Sequence, residues 1–177
     1  MILVLHAHPY PSRSRAGRAL LAAATDVANI RIHSLYDRYP DFDIAVTNEQ
    51  AQLREATRVV MLHPVYWYAA PGLLKHWMDK VLVRGFAYGP GGDALVGKSF
   101  LWAPTTGGDE HAYSEAGMHE RAFSQFMAPM EQTARYCRMQ WEPPFVVHGA
   151  HLIDDATLAA RAAEFAARLA APVNHAG

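Results

Sequence analysis

The chain has 177 residues, 51% of them hydrophobic and 19% charged, the profile of a globular protein long enough to bury roughly 70% of its unfolded surface in a single domain. Lys and Arg number 16 against 17 Asp and Glu, a net charge of -1, so there is no electrostatic case for nucleic acid or an anionic membrane as partner. The lone Cys137 excludes an internal disulfide and suits a reducing cytoplasm, and the apolar run Met1 to Leu5 is too short for a signal peptide or a membrane span.

Taken in chain order, Ile2 to Leu5 reads as a buried strand ending in His6-Ala7-His8-Pro9. Ser14 to Thr25 reads as a helix with Ser14 as N-cap, and Ile30 to Leu35 alternates as a strand. Asn48 to Ala56 is a polar surface helix with Leu53 turned inward, and Val59 to Leu62 is a second buried strand. The next helix spans Gly72 to Val83 and shows Trp77 and Met78 as exposed residues. Ser99 to Ala103 is the fourth strand; Ala122 to Tyr136 is helical, bent or broken at Pro129; Phe145 to His148 is the fifth strand. The last helix starts at Asp154 or Asp155, carries Leu158, Phe165 and Leu169 at helical spacing and stops at Pro172, leaving Asn174 to Gly177 to fray. Strand-helix alternation with fully apolar strands implies an α/β fold with a parallel sheet covered on both faces. Five strands suit the flavodoxin-like order 2-1-3-4-5.

In such sheets ligands bind beyond the carboxyl ends of the strands, next to the switch between the first and third. The segments there are HAHPYPSRSRAG, HPVYWYAAPG and PTTGGDEHAYSEAGMH, the most chemically unusual in the chain. Around Ser14 and Arg15, hydroxyls, guanidinium groups and free backbone N–H groups meet at a helix start, which suits a phosphate or else only a capped helix with solvated arginines; the Lys and glycine pattern of a nucleotide triphosphate loop is missing. Tyr66, Trp67 and Tyr68 form an aromatic wall for a planar ring, or else padding for the core or a subunit contact. Gly107 and Gly108 let backbone approach a ligand closely, though a glycine pair by itself marks only a turn.

The set AHPYPSRS, HPVYWYAAPGLLKHWMDKV, GFAYG, TTGG and YSEAGMH resembles the flavodoxin-like NAD(P)H:quinone oxidoreductases, a family that includes DT-diaphorase and the shorter ancillary reductases of glutathione-gated potassium-efflux systems. The stretch LYxxYPDF from Leu35 to Phe42 and WxPPF from Trp141 to Phe145 are closest to the ancillary reductases, as is the length. The resemblance implies a bound FMN, with FAD disfavoured by the short chain, and NAD(P)H as electron donor. It implies that His8 and the segment Ser14, Arg15, Ala16 and Gly17 hold the flavin phosphate. Val65, Tyr66, Trp67 and Tyr68 would line the ring, Thr105, Thr106, Gly107 and Gly108 its pyrimidine end, and Tyr113 and His119 would serve catalysis. Tyr88, and Tyr68 with it, would face the substrate, Tyr88 reaching across a homodimer. Gly17 and Tyr66 depart from the family, where Asn and Gln are frequent at these positions. The activity implied is a two-electron relay from NAD(P)H through flavin to a quinone or a similar flat electrophile. The alternative is a regulatory subunit of a potassium-efflux transporter, peripheral at the inner membrane through its partner.

Ten histidines raise the question of a metal. His6 and His8 share a strand face and His63 ends the adjacent strand, but no carboxylate accompanies the pair at ligand spacing, so no metal is expected. Cys137 has no evident base and reads as a buried structural thiol. His111, His148, His151 and His175 read as surface or loop residues, and Asp37, Asp41 and Asp43 as a solvated face.

Overall fold

Side chains alternate across a strand, so a strand apolar at every position must be covered on both faces. A computed structural model describes residues 1–172. Strands β1 (Ile2–His6), β2 (Ile30–Ser34), β3 (Arg58–Pro64), β4 (Ser99–Thr105) and β5 (Gln140–Trp141) form one parallel sheet in the order β2-β1-β3-β4-β5, as expected from the strand-helix alternation. The helices are α1 (Arg15–Ala24), α2 (Leu35–Arg38), α3 (Val46–Glu55), α4 (Gly72–Val81), α5 (Ala128–Tyr136) and α6 (Asp155–Ala170). Val4, Val60, Leu62 and Leu101 pack with Leu20 of α1 and Phe165 of α6 on one face. Leu3, Leu5, Met61 and Phe100 pack with Leu53 of α3, Trp77 of α4 and Ala134 of α5 on the other.

Four expectations need correcting. The fifth strand is not Phe145 to His148. The ladder is regular only at Gln140–Trp141, loses two donors at Pro143 and Pro144, and resumes as single bonds from Phe145 N–H to Trp102 O (2.9 Å) and Val147 N–H to Pro104 O (3.0 Å). Pro129 does not break a helix; it lies in the first turn of α5, where its missing N–H costs no bond, after a separate 3-10 turn at Phe123–Phe126. Trp77 is not exposed but fully buried. His148 is half-buried among aromatic rings rather than free at the surface. Cys137 is buried as expected. His175 and the segment from Asn174 onward lie outside the described residues.

The burial of Trp77 follows from a residue that the polar look of α3 concealed. Glu49 is completely buried, accepting from the Tyr39 hydroxyl (2.5 Å), Trp77 Nε1 (2.8 Å) and Gln52 Nε2 (3.3 Å), with His33 Nε2 at 3.0 Å. Burial pushes its carboxyl up, but the donors from His33, Tyr39 and Trp77 together outweigh this and hold it below the ordinary glutamate range. The hub therefore contributes stability at neutral pH and loses it as acid protonates the carboxylate through that lowered value. Glu49→Ala strands the Trp77 and Tyr39 donors and should lower the unfolding free energy by roughly 3–5 kcal/mol. Arg135→Ala, which ends an exposed pair with Glu131 on α5, should cost less than about 1 kcal/mol. Urea melts of both variants check the contrast, and equal losses would refute it.

Candidate functional site

Parallel pairing brings the chemically unusual loops together because every strand ends on the same edge. β3 and β4 pair through Pro64 and Thr105, and β1 runs beside β3 as far as His6 and Leu62. Beneath the loops, Trp102 Nε1 donates to His63 Nε2 (2.8 Å), which leaves the His63 proton on Nδ1 to donate to the Pro64 carbonyl (2.8 Å). His63 is buried, and burial lowers its pKa to about 4, so it is neutral at ordinary pH.

The aromatic wall stands on a constrained turn. Val65 N–H donates to Thr105 O (2.8 Å), and Tyr66 and Ala69 exchange two backbone bonds (3.0 and 3.1 Å). The two residues between them, Trp67 (φ 49°) and Tyr68 (φ 63°), are both left-handed, a pair of conformations usually assigned to Asn-Gly. Trp67 is 93% exposed. The Tyr68 ring stacks on Phe126 (5.0 Å), and its hydroxyl meets His119 Nδ1 (3.3 Å).

At the end of β1 the chain makes a 3-10 turn, Pro11–Arg13, and enters α1. The first backbone bond of that helix runs from Arg18 N–H to Ser14 O (2.9 Å), so the N–H groups of Arg15, Ala16 and Gly17 have no carbonyl in the preceding turn. Ser14 makes no side-chain cap. Its hydroxyl folds over the helix start into the space a Cβ at Gly17 would fill, 2.3 Å from that position. His8 Nδ1 accepts from Tyr10 N–H (3.0 Å), leaving the proton on Nε2. The His8 pKa is lowered by burial and then by nearby His151, while burial and His8 lower His6 to about 4. Arg15 turns its guanidinium toward the start of α6, donating to Ile153 O (2.5 Å) and Asp155 (2.5 Å).

After β4, Thr106 N–H donates to Val147 O (3.0 Å), and its hydroxyl bridges the Gly108 carbonyl (2.7 Å) and His148 Nδ1 (2.9 Å). Gly107 is open apart from His151, while a side chain at Gly108 would press on Ala112, Tyr113 and His119 at 3.1–3.4 Å. The Tyr113 and His119 rings lie 4.3 Å apart, tilted by 36°, and burial, then Tyr68, raises the Tyr113 pKa. His148 packs on Tyr113 (5.5 Å) and on Phe123 (5.0 Å). His148, His151 and Phe126 thus join the cluster; the strand-end rule applied to the fifth strand points to the two histidines, while no local signal points to Phe126 in its 3-10 turn. Tyr88 is elsewhere. It packs on Tyr136 (5.0 Å) in an open groove of about 550 Å³ with Met78 of α4 and Leu82 just beyond it, and among the described residues no ring contact or hydrogen bond ties it to Tyr68, Tyr113 or His119. No group of three or more His, Cys, Asp or Glu among the described residues could hold a metal ion.

These parts fit a flavin mononucleotide. Free N–H groups and a hydroxyl meet at a helix start for a phosphate, exposed rings stand on a rigid turn, and a glycine loop is open to close approach. A family model described as flavodoxin-like fold matches residues 1–169, and the chain belongs to that family. The chain is 48% identical over 177 residues to the glutathione-regulated potassium-efflux system ancillary protein KefF of Salmonella typhi, covering 99% of each. Among solved structures, a chain described as a thermophilic tryptophan halogenase from Streptomycin violaceusniger is 36% identical (TM-score 0.92; 96% of this chain, 99% of that one). The general stress protein 14 of Treponema denticola, solved with FMN, is 31% identical (TM-score 0.88; 95% and 97%). An NADPH-quinone reductase from P. pentosaceus is 29% identical (TM-score 0.88; 98% and 99%).

Two predictions follow from this geometry. Trp67→Asn keeps the left-handed turn with a residue that tolerates it and forfeits almost no burial, so it should raise stability by about 1 kcal/mol in urea melts; a loss would mean that Trp67 packs on its own chain. For His6 and His63 the folded pKa of about 4 lies below the ordinary 6.5. The unfolded chain therefore takes up protons first, and stability present above pH 6.5 drains away toward pH 4, by roughly 3 kcal/mol per buried histidine at most. His63→Gln, though less stable at pH 7, should lose less over that interval, and an unchanged slope would count against it.

Proposed function

We propose that the chain is a single FMN-binding domain that works as an NAD(P)H:quinone oxidoreductase. The observation that carries this reading is the convergence of the Trp67-Tyr68 turn, the Thr105 to Gly108 loop and the start of α1 on one edge of the sheet. In this assignment Ser14, the N–H groups of Arg15, Ala16 and Gly17, and His8 Nε2 hold the phosphate. Val65 to Tyr68 border the ring, and Thr106, Gly107 and Gly108 border its pyrimidine end. When bound, FMN supplies two-electron transfer between a nicotinamide and a quinone. The protein contributes position and protons. Burial keeps the Tyr113 hydroxyl protonated, so Tyr113 Oη can donate toward negative charge, and His119, against both Tyr113 and Tyr68, can store the proton. The relatives that support the reading are the quinone reductase and the FMN complex. The groove around Met78, Tyr88 and Tyr136 is the face we assign to a homodimer, with Tyr88 serving the partner's substrate pocket. Among the described residues no helix is long and apolar enough to cross a membrane. Our assignment to the cytoplasm rests instead on the lone Cys137, which suits a reducing compartment.

The KefF relationship favours a second reading, in which the chain is a regulatory subunit on a potassium-efflux transporter and its flavin is mainly structural. Turnover of NADPH with 1,4-benzoquinone, set against pull-down on such a transporter, separates the two. Protein purified with FMN should be yellow and release FMN by mass spectrometry. Tyr113→Phe and His119→Gln should keep the flavin and slow its reduction by about one to two decades, the worth of one hydrogen bond to a charged group. Unaltered stopped-flow rates would remove those two roles, and colourless protein at saturating FMN would remove the function.

A further inference from the structure

Behind the aromatic turn lies a smaller and more enclosed space. A cavity of about 220 Å³ lies between the turn, α4 and α5, walled by Tyr68, Met78, Trp102, Phe126, Pro129 and Met130. Its polar neighbours are already engaged. The Thr133 hydroxyl donates to Pro129 O (2.7 Å), Lys75 pairs with Asp79 (2.5 Å), and Trp102 Nε1 donates to His63. The cavity therefore selects by apolar contact and shape. Tyr68 is shared: its ring forms one wall here, and its hydroxyl meets His119, which packs on Tyr113. An apolar cavity of roughly 150 Å³ is enough to take up benzene, so this one has room for a ring or a short branched chain.

We infer that this cavity is a specificity subsite that receives the apolar substituent of the electron acceptor, an aryl ring or short branched alkyl group carried on a quinone. The inference rests on the quinone reductase reading and adds which quinones are preferred. A flat head group that rests against Tyr68 brings its substituent to a wall of this enclosed apolar space. The cavity shares Met78, Pro129 and Thr133 with the open groove, but Tyr88 and Tyr136 of that groove are not among its walls, which favours a small ligand over a side chain from a second copy.

The test uses FMN-loaded protein with NADPH and compares 1,4-benzoquinone with 2-phenyl-1,4-benzoquinone, in the native chain and in Thr133→Phe, which fills the cavity from α5. The phenyl compound should show a KM about tenfold lower in the native chain, the worth of roughly two buried methylene groups. Within Thr133→Phe the two quinones should have equal KM values, so that the preference is erased. Independently of turnover, toluene should raise the melting temperature of the FMN-loaded native chain and not that of FMN-loaded Thr133→Phe. Should Thr133→Phe fail to fold, Met130→Ala, which enlarges the cavity, should shift preference to a 2-naphthyl quinone. Equal KM values for the two quinones, a preference that survives the filled cavity, or no effect of toluene would overturn the subsite. Loss of a dimer in sedimentation of Thr133→Phe with the preference intact would give the cavity to a second copy and overturn it too. If toluene binds while yellow protein reduces neither quinone, it is the parent reading that fails, and the assigned occupant falls with it.

Discussion

The pairing of β3 with β4 is the constraint on which the site depends. Seven consecutive residues are in register, from Arg58 with Ser99 to Pro64 with Thr105, so the aromatic turn and the glycine loop leave the sheet side by side. Beyond the last paired residues, Val65 N–H still bonds Thr105 O, and underneath, Trp102 fastens to His63 and His63 to Pro64. A one-residue slip would turn every side chain of one strand to the opposite face. It would exchange the side chains fitted to α1 and α6 with those fitted to α3, α4 and α5, and pull the two loops out of line. Loop position is thus inherited from core packing, and the loops themselves remain free to carry polar and strained chemistry.

The opposite end of the same pair is closed by charge. Arg58, at the start of β3, is buried and makes a two-pronged contact with Glu142, which also accepts from Ser99; Arg58 further donates to the carbonyls of Arg168 (2.9 Å) and Leu169 (3.2 Å) at the end of α6. A planar guanidinium suits this place because one group satisfies a carboxylate and two helix-end carbonyls at once. At the ligand edge the polar groups are handled differently. His6, His8, His63 and His148 all have lowered pKa values, burial being the first cause in each. The sheet is therefore pinned by a buried paired charge at one end. At the other, the Arg15 guanidinium is turned aside to Asp155 and leaves neutral imidazoles and backbone N–H groups, which can meet an incoming phosphate by hydrogen bonds without first breaking that pair.

The fold was legible in the sequence because its signals are local and repeated. Apolar runs such as Val59 to Leu62 and the Asp154 cap, which accepts from Thr157 N–H (2.9 Å), can be read without knowing the partner across the core. The misreadings share a physical cause. Trp77 and Glu49 are each unexceptional on a helical wheel, and only their mutual hydrogen bond, 28 positions apart, makes both buried. Pro129 reads as a break or as a helix start depending on where the preceding turn ends. Phe145 to Val147 does run beside β4, yet Pro143 and Pro144 interrupt the ladder that would have made it a strand. Around the site, His148 was passed over because Thr106 and Tyr113, its neighbours in space, lie 42 and 35 positions away in the chain, a relation no spacing rule contains. The direction of the Arg15 guanidinium, set by Asp155 at 2.5 Å, is of the same kind.

The turn at Trp67 and Tyr68 shows why such a site resists optimisation for stability alone. Each left-handed non-glycine residue costs roughly 1–2 kcal/mol, and the two backbone bonds between Tyr66 and Ala69 together recover a comparable amount. Asn-Gly would make the same turn with no strain. What the larger residues add is display. The tight turn holds Trp67 away from its own core, at 93% exposure, while Tyr68 is steadied from one side by Phe126 and from another by His119. An aromatic ring on a relaxed loop would collapse onto the nearest apolar surface, such as the cavity behind Tyr68. Here the backbone strain and the side-chain exposure oppose that collapse, so the apolar surface stays available to a ligand or to a second protein surface, and binding rather than folding is what covers it.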